Sequence, residues 1–290
     1  MTDQAIEIPQ AAATSGPSRR RLRWPSPWHL VLIPVALVMV TPFAWMVMTS
    51  IQTPEEARHF PPVFPSGIHW QNYTEALAAA PFGRFFFNTA IVTGVTVLGN
   101  LILCSLAGYA FARFRFFGRD VLFVVILATL MIPFQVVMIP TFLIMRHLGL
   151  IDSLGALILP NLVTPFGIFL MRQFFRTLPI ELEEAARIDG CSRLGTLFRI
   201  VLPLSGPALA TLAVITFLYN WNDFLWPLVA IQSEEHMTLQ LGLSTFQGAH
   251  SIEWTLLMAG NVMGVLPMLL AFLLAQRQFV RSIASAGITG

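Results

Sequence analysis

The sequence contains no lysine, since all 17 of its basic residues are arginine. A Walker A loop uses a lysine to hold the β- and γ-phosphates of ATP, and a Schiff-base enzyme forms its covalent intermediate on one. The chain therefore cannot hydrolyse ATP by the P-loop route, and it cannot carry pyridoxal phosphate or another Schiff-base intermediate.

Charge and cysteine are also scarce. Only 11% of the residues are charged and 56% are hydrophobic, whereas an ordinary soluble domain carries about 25% charge. This deficit is typical of a membrane protein, because a bilayer penalises each buried charge. The two cysteines, Cys104 and Cys191, are too few for a disulfide framework, and their surroundings predict no zinc site.

Motifs of the common enzyme classes are missing as well. The six histidines form no HExxH pair, and no GxSxG sequence suggests a hydrolase nucleophile. No tract of basic and aromatic residues suggests a nucleic-acid partner. We therefore expect no catalytic residue, no metal site and no cofactor on this chain.

Long apolar runs fill most of the sequence after a polar beginning. A hydrocarbon core of about 30 Å takes roughly 20 helical residues, and runs of that length without strict alternation predict helices. Residues 1–24 are polar and arginine-rich, which predicts a disordered cytoplasmic tail, and 25–290 form the transmembrane domain. The fold class is thus an all-α membrane protein with six transmembrane helices, predicted at 28–50, 85–111, 121–145, 154–174, 204–231 and 255–276.

The distribution of arginine predicts the orientation. With the N-terminus inside the cell, 14 arginines lie in inner segments and only three, Arg58, Arg84 and Arg146, lie in outer loops. Such an excess follows the positive-inside rule. Both termini and the loop 176–203 are therefore predicted to face the cytoplasm from the inner cell membrane, with a long proline-rich loop, 51–84, outside.

One charged stretch, 181–203, interrupts the apolar pattern and is called the polar segment below. Its chemistry predicts a helix with Pro179 in its first turn, an ion pair between Glu183 and Arg187, and a left-handed stop at Gly190. Ser192 is placed to cap a second helix that runs to Pro203. An apolar stripe is predicted on the first helix at Leu178, Leu182, Ala185 and Ala186.

Two bent helices of this kind suit a docking element, because small residues permit close approach and charges at the rim orient a partner. The alternative is an amphipathic turn that lies flat on lipid. Acidic side chains so close to an anionic leaflet disfavour that alternative.

A second polar patch occurs inside the fifth apolar run. Asp223 is the only acidic residue well inside a predicted span, and Asn220, three residues earlier, is predicted to share its helical face. Amides and carboxylates bind sugar hydroxyls, and an indole stacks on a sugar ring. The alternative is a structural contact between helices. The candidate residues of the translocation path are Tyr219, Asn220, Asn222, Asp223 and Trp226.

The polar segment resembles the cytoplasmic coupling loop of ABC importer permeases, whose pattern is E-A-A-x3-G-x9-I-x-L-P. Glu184-Ala185-Ala186, Gly190, Ile200 and Leu202-Pro203 occupy every fixed position. The resemblance implies the type I ABC importer permease fold, in which this loop sits in a groove of the ATP-binding subunit. The implied ATPase-coupling residues are Glu184, Ala185, Ala186, Arg187, Asp189 and Gly190.

Two further sequences resemble the carbohydrate branch of that family, the maltose-type second permease. One is the run from Trp221 to Leu228, and the other is the C-terminus, where Ala286, Gly287 and Gly290 match a tail that can reach the paired ATPases. Thr289 replaces the usual lysine of that tail.

The resemblance implies the partners of the chain. These are a second homologous permease, two ATP-binding subunits that hold ATP and Mg²⁺, an extracytoplasmic solute-binding protein and a sugar-like substrate. The substrate can be a disaccharide, an amino sugar, an oligosaccharide or a glycerophosphodiester. The alternative functions are a proton-coupled secondary transporter that uses Asp223, and an integral-membrane enzyme, for which we find no catalytic cluster.

Overall fold

The computed structural model describes residues 28–248 and 252–286, without the side chains of 275 and 277–286. The chain divides into two units within its first helix, one of residues 1–44 and one of residues 45–290. The predicted tail 1–24 lies outside the described residues, as do Gly287 and Gly290 of the C-terminal motif. The remaining residue of that motif, Ala286, ends the last helix.

The first half of the described chain is helical apart from its connections. The helix α4 continues through one π-helical turn, Asn100–Cys104, directly into α5. The helices are α1 (His29–Ser50), α2 (Pro54–Arg58), α3 (Gln71–Ala79), α4 (Phe82–Gly99), α5 (Ser105–Arg113), α6 (Arg119–Thr129) and α7 (Phe134–His147).

The second half follows the same pattern with shorter pieces. A second π-helical turn, Leu197–Val201, joins α11 to α12 without a break. The helices are α8 (Leu154–Ile158), α9 (Pro165–Thr177), α10 (Glu181–Ile188), α11 (Arg193–Thr196), α12 (Leu202–Leu204), α13 (Gly206–Trp221), α14 (Leu225–Ala230), α15 (Leu239–Leu243) and α16 (Trp254–Ala286).

The helical membrane fold predicted from composition is confirmed. Within the described residues, four helical stretches are long and apolar enough to cross a membrane, and the number rises to six if each of two bent pairs counts as one span. The four are His29–Ser50, Phe82–Arg113, Leu154–Thr177 and Trp254–Leu274.

The third predicted span, 121–145, is not a straight helix. It consists of α6 and α7, which meet at an angle of 103°. Pro133 stands at the break and is the cap residue before α7. Proline has no N–H to donate and its ring disfavours a helical conformation at the preceding residue, so the helix ends here and restarts in a new direction.

The fifth predicted span, 204–231, is also interrupted. A bend of 82° separates the stretch Arg193–Leu204 from Gly206–Trp221, and α13 then ends at Trp221. Asp223 lies in the gap before α14, where its carboxylate accepts a 3.4 Å hydrogen bond from the Trp226 amide. Because the helix stops before Asp223, the shared face predicted for Asn220 and Asp223 is wrong.

The helices α5 and α9 are in extensive contact. A Cβ atom built on Gly108 would lie 2.8 Å from the Cβ of Met171 and 2.9 Å from the amide nitrogen of Arg172. Glycine is therefore required for the two backbones to approach so closely. The contact continues into a buried cluster that includes Tyr109, Met171, Phe175, Leu197 and Leu212. This cluster positions the polar segment, which begins directly after α9.

A carboxylate ties two connections together away from the polar segment. Asp152, between α7 and α8, accepts hydrogen bonds from the amides of Gln232 and Ser233 at 3.0 and 2.9 Å. The Ser233 and Gln232 amides lower the pKa of Asp152 to about 2. The Asp152 carboxylate is therefore charged at neutral pH and holds the connection after α14 in place.

Candidate functional site

The polar segment forms two helical arms that meet at Gly190. The first arm is α10, and the second runs from α11 through the π-helical turn to α12. Gly190 has φ +82°, as its predicted left-handed stop requires. The Gly190 amide donates to the Arg187 carbonyl at 3.0 Å, and the Cys191 amide donates to the Ala186 carbonyl at 2.9 Å. These two bonds form a Schellman cap, which ends the first arm at a defined angle.

The second arm begins with a side-chain cap. The Ser192 hydroxyl accepts a 3.1 Å hydrogen bond from the Gly195 amide, which confirms its predicted capping role. The Arg193 guanidinium lies 4.9 Å from the centre of the Phe114 ring, so the second arm packs on the connection that follows α5. Pro179 precedes α10 instead of lying in its first turn, because α9 extends to Thr177 and leaves room only for a short connection.

The predicted coupling residues divide by exposure. Glu184, Ala185, Arg187, Asp189 and Gly190 are exposed, whereas Ala186 is only 4% exposed. The single apolar stripe predicted on this helix is therefore wrong, because its members point in different directions. Ala186 packs inward, and Leu182 and Ala185 face outward.

An exposed apolar residue that was not predicted ends the first arm. Ile188 is 87% exposed and lies one turn after Ala185. Together, Leu182, Ala185 and Ile188 form an apolar strip flanked by the exposed charges of Glu184 and Asp189. The i, i+3 and i+6 spacing of the strip was visible in the sequence, but the sequence did not show which face the rest of the protein covers.

Glu183 faces inward, in contrast to the exposed carboxylates around it. Its side chain is 1% exposed and pairs with Arg113 on α5, so the predicted ion pair with Arg187 is wrong. The second carboxylate oxygen accepts a 2.7 Å hydrogen bond from the Tyr109 hydroxyl. Tyr109 and Arg113 are four residues apart on one helical face, but their partner lies about 70 residues further along the chain, and sequence reasoning missed it.

A cavity with a mostly apolar lining lies between α9 and α13. Its volume is about 200 Å³, and two of the predicted path residues, Tyr219 and Asn220, contribute to its wall. Tyr219 is 56% exposed, whereas Asn220 is 7% exposed and donates to the Thr216 carbonyl at 2.8 Å. The lining residues are Asn161, Thr164, Phe166, Ile215, Thr216, Tyr219 and Asn220.

The opposite wall of this cavity depends on a buried amide that sequence reasoning missed. Asn100, in the first π-helical turn, donates to the Asn161 carbonyl at 2.7 Å and accepts from the Thr164 hydroxyl at 2.7 Å. Asn100 is fully buried. The bonds to Asn161 and Thr164 fix the break between α8 and α9, where these two residues reach the cavity.

The remaining predicted path residues lie outside this cavity. Asn222 is exposed and donates to the Leu218 carbonyl, while Asp223 precedes α14. Trp226 is 1% exposed, and its indole N–H donates to the Ala156 carbonyl at 3.0 Å. Its ring meets Phe134 edge-on, so Trp226 makes a packing contact in the structure.

Comparison with known families identifies the class of this protein. Residues 100–285 match the family described as "Binding-protein-dependent transport system inner membrane component". The chain belongs to this family. It is therefore a permease subunit of a binding-protein-dependent ABC importer, in which a separate subunit hydrolyses ATP. This assignment takes the place of the alternative interpretation, a proton-coupled secondary transporter that uses Asp223.

Curated relatives match over nearly their whole length. The arabinooligosaccharides transport system permease protein AraQ of Halalkalibacterium halodurans is 36% identical over 260 residues, which cover 88% of this chain and 93% of the relative. The lactose transport system permease protein LacG of Rhizobium radiobacter is 35% identical, with coverage of 88% and 93%. The sn-glycerol-3-phosphate transport system permease protein UgpE of Pectobacterium atrosepticum is also 35% identical, with coverage of 89% and 95%.

A solved structure shares the fold. It is a chain of a bacterial ABC transporter involved in the import of the acidic polysaccharide alginate. The TM-score is 0.77 at 28% identity, and the match covers 88% of this chain and 99% of that chain.

Proposed function

We propose that this chain is one of two homologous permease subunits of an importer for a sugar or sugar derivative, and that it forms half of the translocation path. The geometry of the polar segment carries the proposal. Its first arm presents an apolar strip between exposed charges, and a capped left-handed turn at Gly190 gives it a defined angle to the second arm. The names of relatives that carry arabino-oligosaccharides and lactose support the sugar class.

The ATP-binding partners dock on the polar segment. Glu184, Ala185, Arg187, Asp189 and Gly190 are exposed and available to them, and Ala186 supports the helix from its buried side. ATP and Mg²⁺ bind to two partner subunits, in keeping with a chain that has no lysine for a P-loop. An extracytoplasmic solute-binding protein delivers the substrate to the opposite side of the membrane.

The polar segment and both termini face the cytoplasm in this proposal. The strong excess of arginine on one side of the predicted spans supports that orientation. Docking to cytoplasmic ATPases requires the same orientation, so a single arrangement satisfies both arguments.

The cavity between α9 and α13 is the part of the path that this chain contributes. Tyr219 offers an aromatic face and a hydroxyl, and the side-chain oxygen of Asn220 remains available because only its NH₂ group is bonded to Thr216. Aromatic faces and amide oxygens are suitable groups for sugar rings and their hydroxyls. Trp226 lies outside this cavity and packs against Ala156 and Phe134, so we assign it no contact with the substrate.

The function is tested with the assembled importer in proteoliposomes. We expect the chain to co-purify with its two ATPase subunits, and a panel of sugars presented with the solute-binding protein to include one that is taken up only when ATP is inside the vesicles. The chain purified alone is expected to show no ATPase activity. Uptake that survives ATP depletion but is abolished by an uncoupler would contradict the proposal.

Tyr219→Ala tests the path. Loss of the aromatic face is expected to lower the transport rate at limiting substrate by about tenfold, while the complex still assembles. Tyr219→Phe retains the ring and is the matched control, with a smaller loss expected. Wild-type uptake by the alanine variant would show that the cavity does not lie on the path.

A further inference from the structure

Glu183 is the most deeply buried carboxylate of the polar segment, and both of its carboxylate oxygens accept hydrogen bonds from another helix. The Arg113 guanidinium pairs with one carboxylate oxygen through Nε, and the Tyr109 hydroxyl donates to the other at 2.7 Å. The side chains of Glu183 and Arg113 are 1% and 10% exposed. Both oxygens of a nearly dry carboxylate are thus satisfied from α5.

Arg113 also reaches the connection that leads into α10. Its Nη2 donates to the Leu178 carbonyl at 2.8 Å. One guanidinium therefore holds the chain three residues before α10 and, through Glu183, the first turn of that helix. The rigid, planar guanidinium thus holds this part of the chain at two points, Leu178 and Glu183. Because both are held, α10 cannot rotate about either one alone.

The surroundings of Tyr109 make this attachment stiff. The Tyr109 ring meets Phe175 at 90° and Phe114 at 72°, with ring centres 6.0 and 5.6 Å apart. Tyr109 follows Gly108 directly, where the backbones of α5 and α9 are in close contact. The hydroxyl that binds Glu183 therefore belongs to a residue of the buried cluster between α5 and α9.

The helix that carries Tyr109 and Arg113 is the end of a long apolar stretch. The stretch Phe82–Arg113 is 32 residues long and includes the turn that bears Asn100. Asn100 in turn binds Asn161 and Thr164 on the wall of the cavity between α9 and α13. One continuous helix thus contacts the polar segment at one end and a cavity wall in its middle.

We propose that Glu183 is a positioning residue that locks α10 to the stretch Phe82–Arg113, so that movement of the polar segment turns this stretch and the cavity wall attached to it. The proposal rests on the proposed function, since the movement comes from the docked ATPases. It assigns the transmission to a specific joint, Glu183 with Arg113 and Tyr109. The motif residues Glu184, Ala185 and Gly190 contact the partner and are not part of the joint.

Glu183→Gln tests the joint, because it retains the shape and removes the charge that Arg113 compensates. In the assembled importer we expect ATP hydrolysis to continue while the number of sugar molecules transported per ATP falls about tenfold. Glu181→Gln removes the same charge from an exposed position on the same helix and is the matched control, with a smaller fall expected.

A second measurement reports how firmly the polar segment is held, through the mobility of a spin label. Cys191 is partly exposed and lies next to Gly190, whereas Cys104 is buried, so a nitroxide can be placed on Cys191. We expect the label to be more mobile in the Glu183→Gln complex than in the wild-type complex. A residue that only stabilised the fold would lower the yield of complex without changing the label mobility of the complex that forms.

Tyr109→Phe removes one hydrogen bond without removing the ion pair, and it covers the case in which Glu183→Gln fails to assemble. We expect a fall of about twofold in sugar transported per ATP. Unchanged stoichiometry in every variant that assembles would overturn the joint while leaving the proposed function intact. A wild-type importer that transports no sugar would instead refute the proposed function.

Discussion

Gly190→Val is expected to separate ATP hydrolysis from sugar uptake, with uptake falling by about tenfold or more while the ATPases continue to turn over. Gly190 has φ +82°, a conformation that costs an L-residue roughly 1–2 kcal/mol and a β-branched residue more. The position is otherwise open, since a Cβ atom there would meet no atom within 4 Å. Valine at this position would therefore clash with nothing in the permease itself, and its effect within this chain comes from the backbone conformation.

Because space is available at Gly190, the substitution series distinguishes conformation from size. Gly190→Asn adds a larger polar side chain but tolerates the left-handed conformation, so we expect it to retain most uptake. Gly190→Ala is expected to lie between asparagine and valine. The measurement is sugar transported per ATP in proteoliposomes. If asparagine and valine impaired coupling equally, bulk at the ATPase surface would be the cause and the role of the capped turn would be rejected.

Ile188→Asp is expected to weaken binding of the ATPase subunits by about a hundredfold, because docking would bury an unpaired charge. Ile188 is 87% exposed, so the permease itself loses no core contact on substitution. The affinity is measured by titrating purified ATPase onto the permease pair in nanodiscs. Ile188→Leu retains the apolar area and is expected to bind as the wild type does.

This prediction also separates docking from an interaction with lipid. If the apolar strip of Leu182, Ala185 and Ile188 only rested on the membrane, Ile188→Asp would leave the ATPase affinity unchanged. If the strip is the docking surface, the affinity falls while the permease pair remains monodisperse and its thermal unfolding is unaltered.

The sequence predicted the turn between the two arms of the polar segment correctly. The left-handed stop at Gly190 and the cap at Ser192 depend on residues close together in the chain, and both are confirmed. The apolar runs also predicted where helices lie, because hydrophobic length is a local property. The break at Pro133 was visible in principle, but proline occurs inside other helices here, including α1 and α16, without ending them.

Features that depend on distant contacts were missed. Glu183 was assigned to Arg187 by its i,i+4 spacing, yet the protein places Glu183 against Arg113 and Tyr109. A buried pair excludes water from both partners, whereas the local pair would have remained in solvent and gained little. Helix spacing likewise placed Asn220 and Asp223 together, because nothing in the apolar run marked the end of α13 at Trp221.

The π-helical turn at Asn100–Cys104 has a consequence for the evolution of this chain. A π-turn holds one residue more than an α-turn, so deletion of a single residue there can restore a regular helix without rotating either flanking face. Homologous genes are therefore expected to differ by one codon at this point. Those with the shorter form would have lost the widened turn from which Asn100 reaches across to its neighbours.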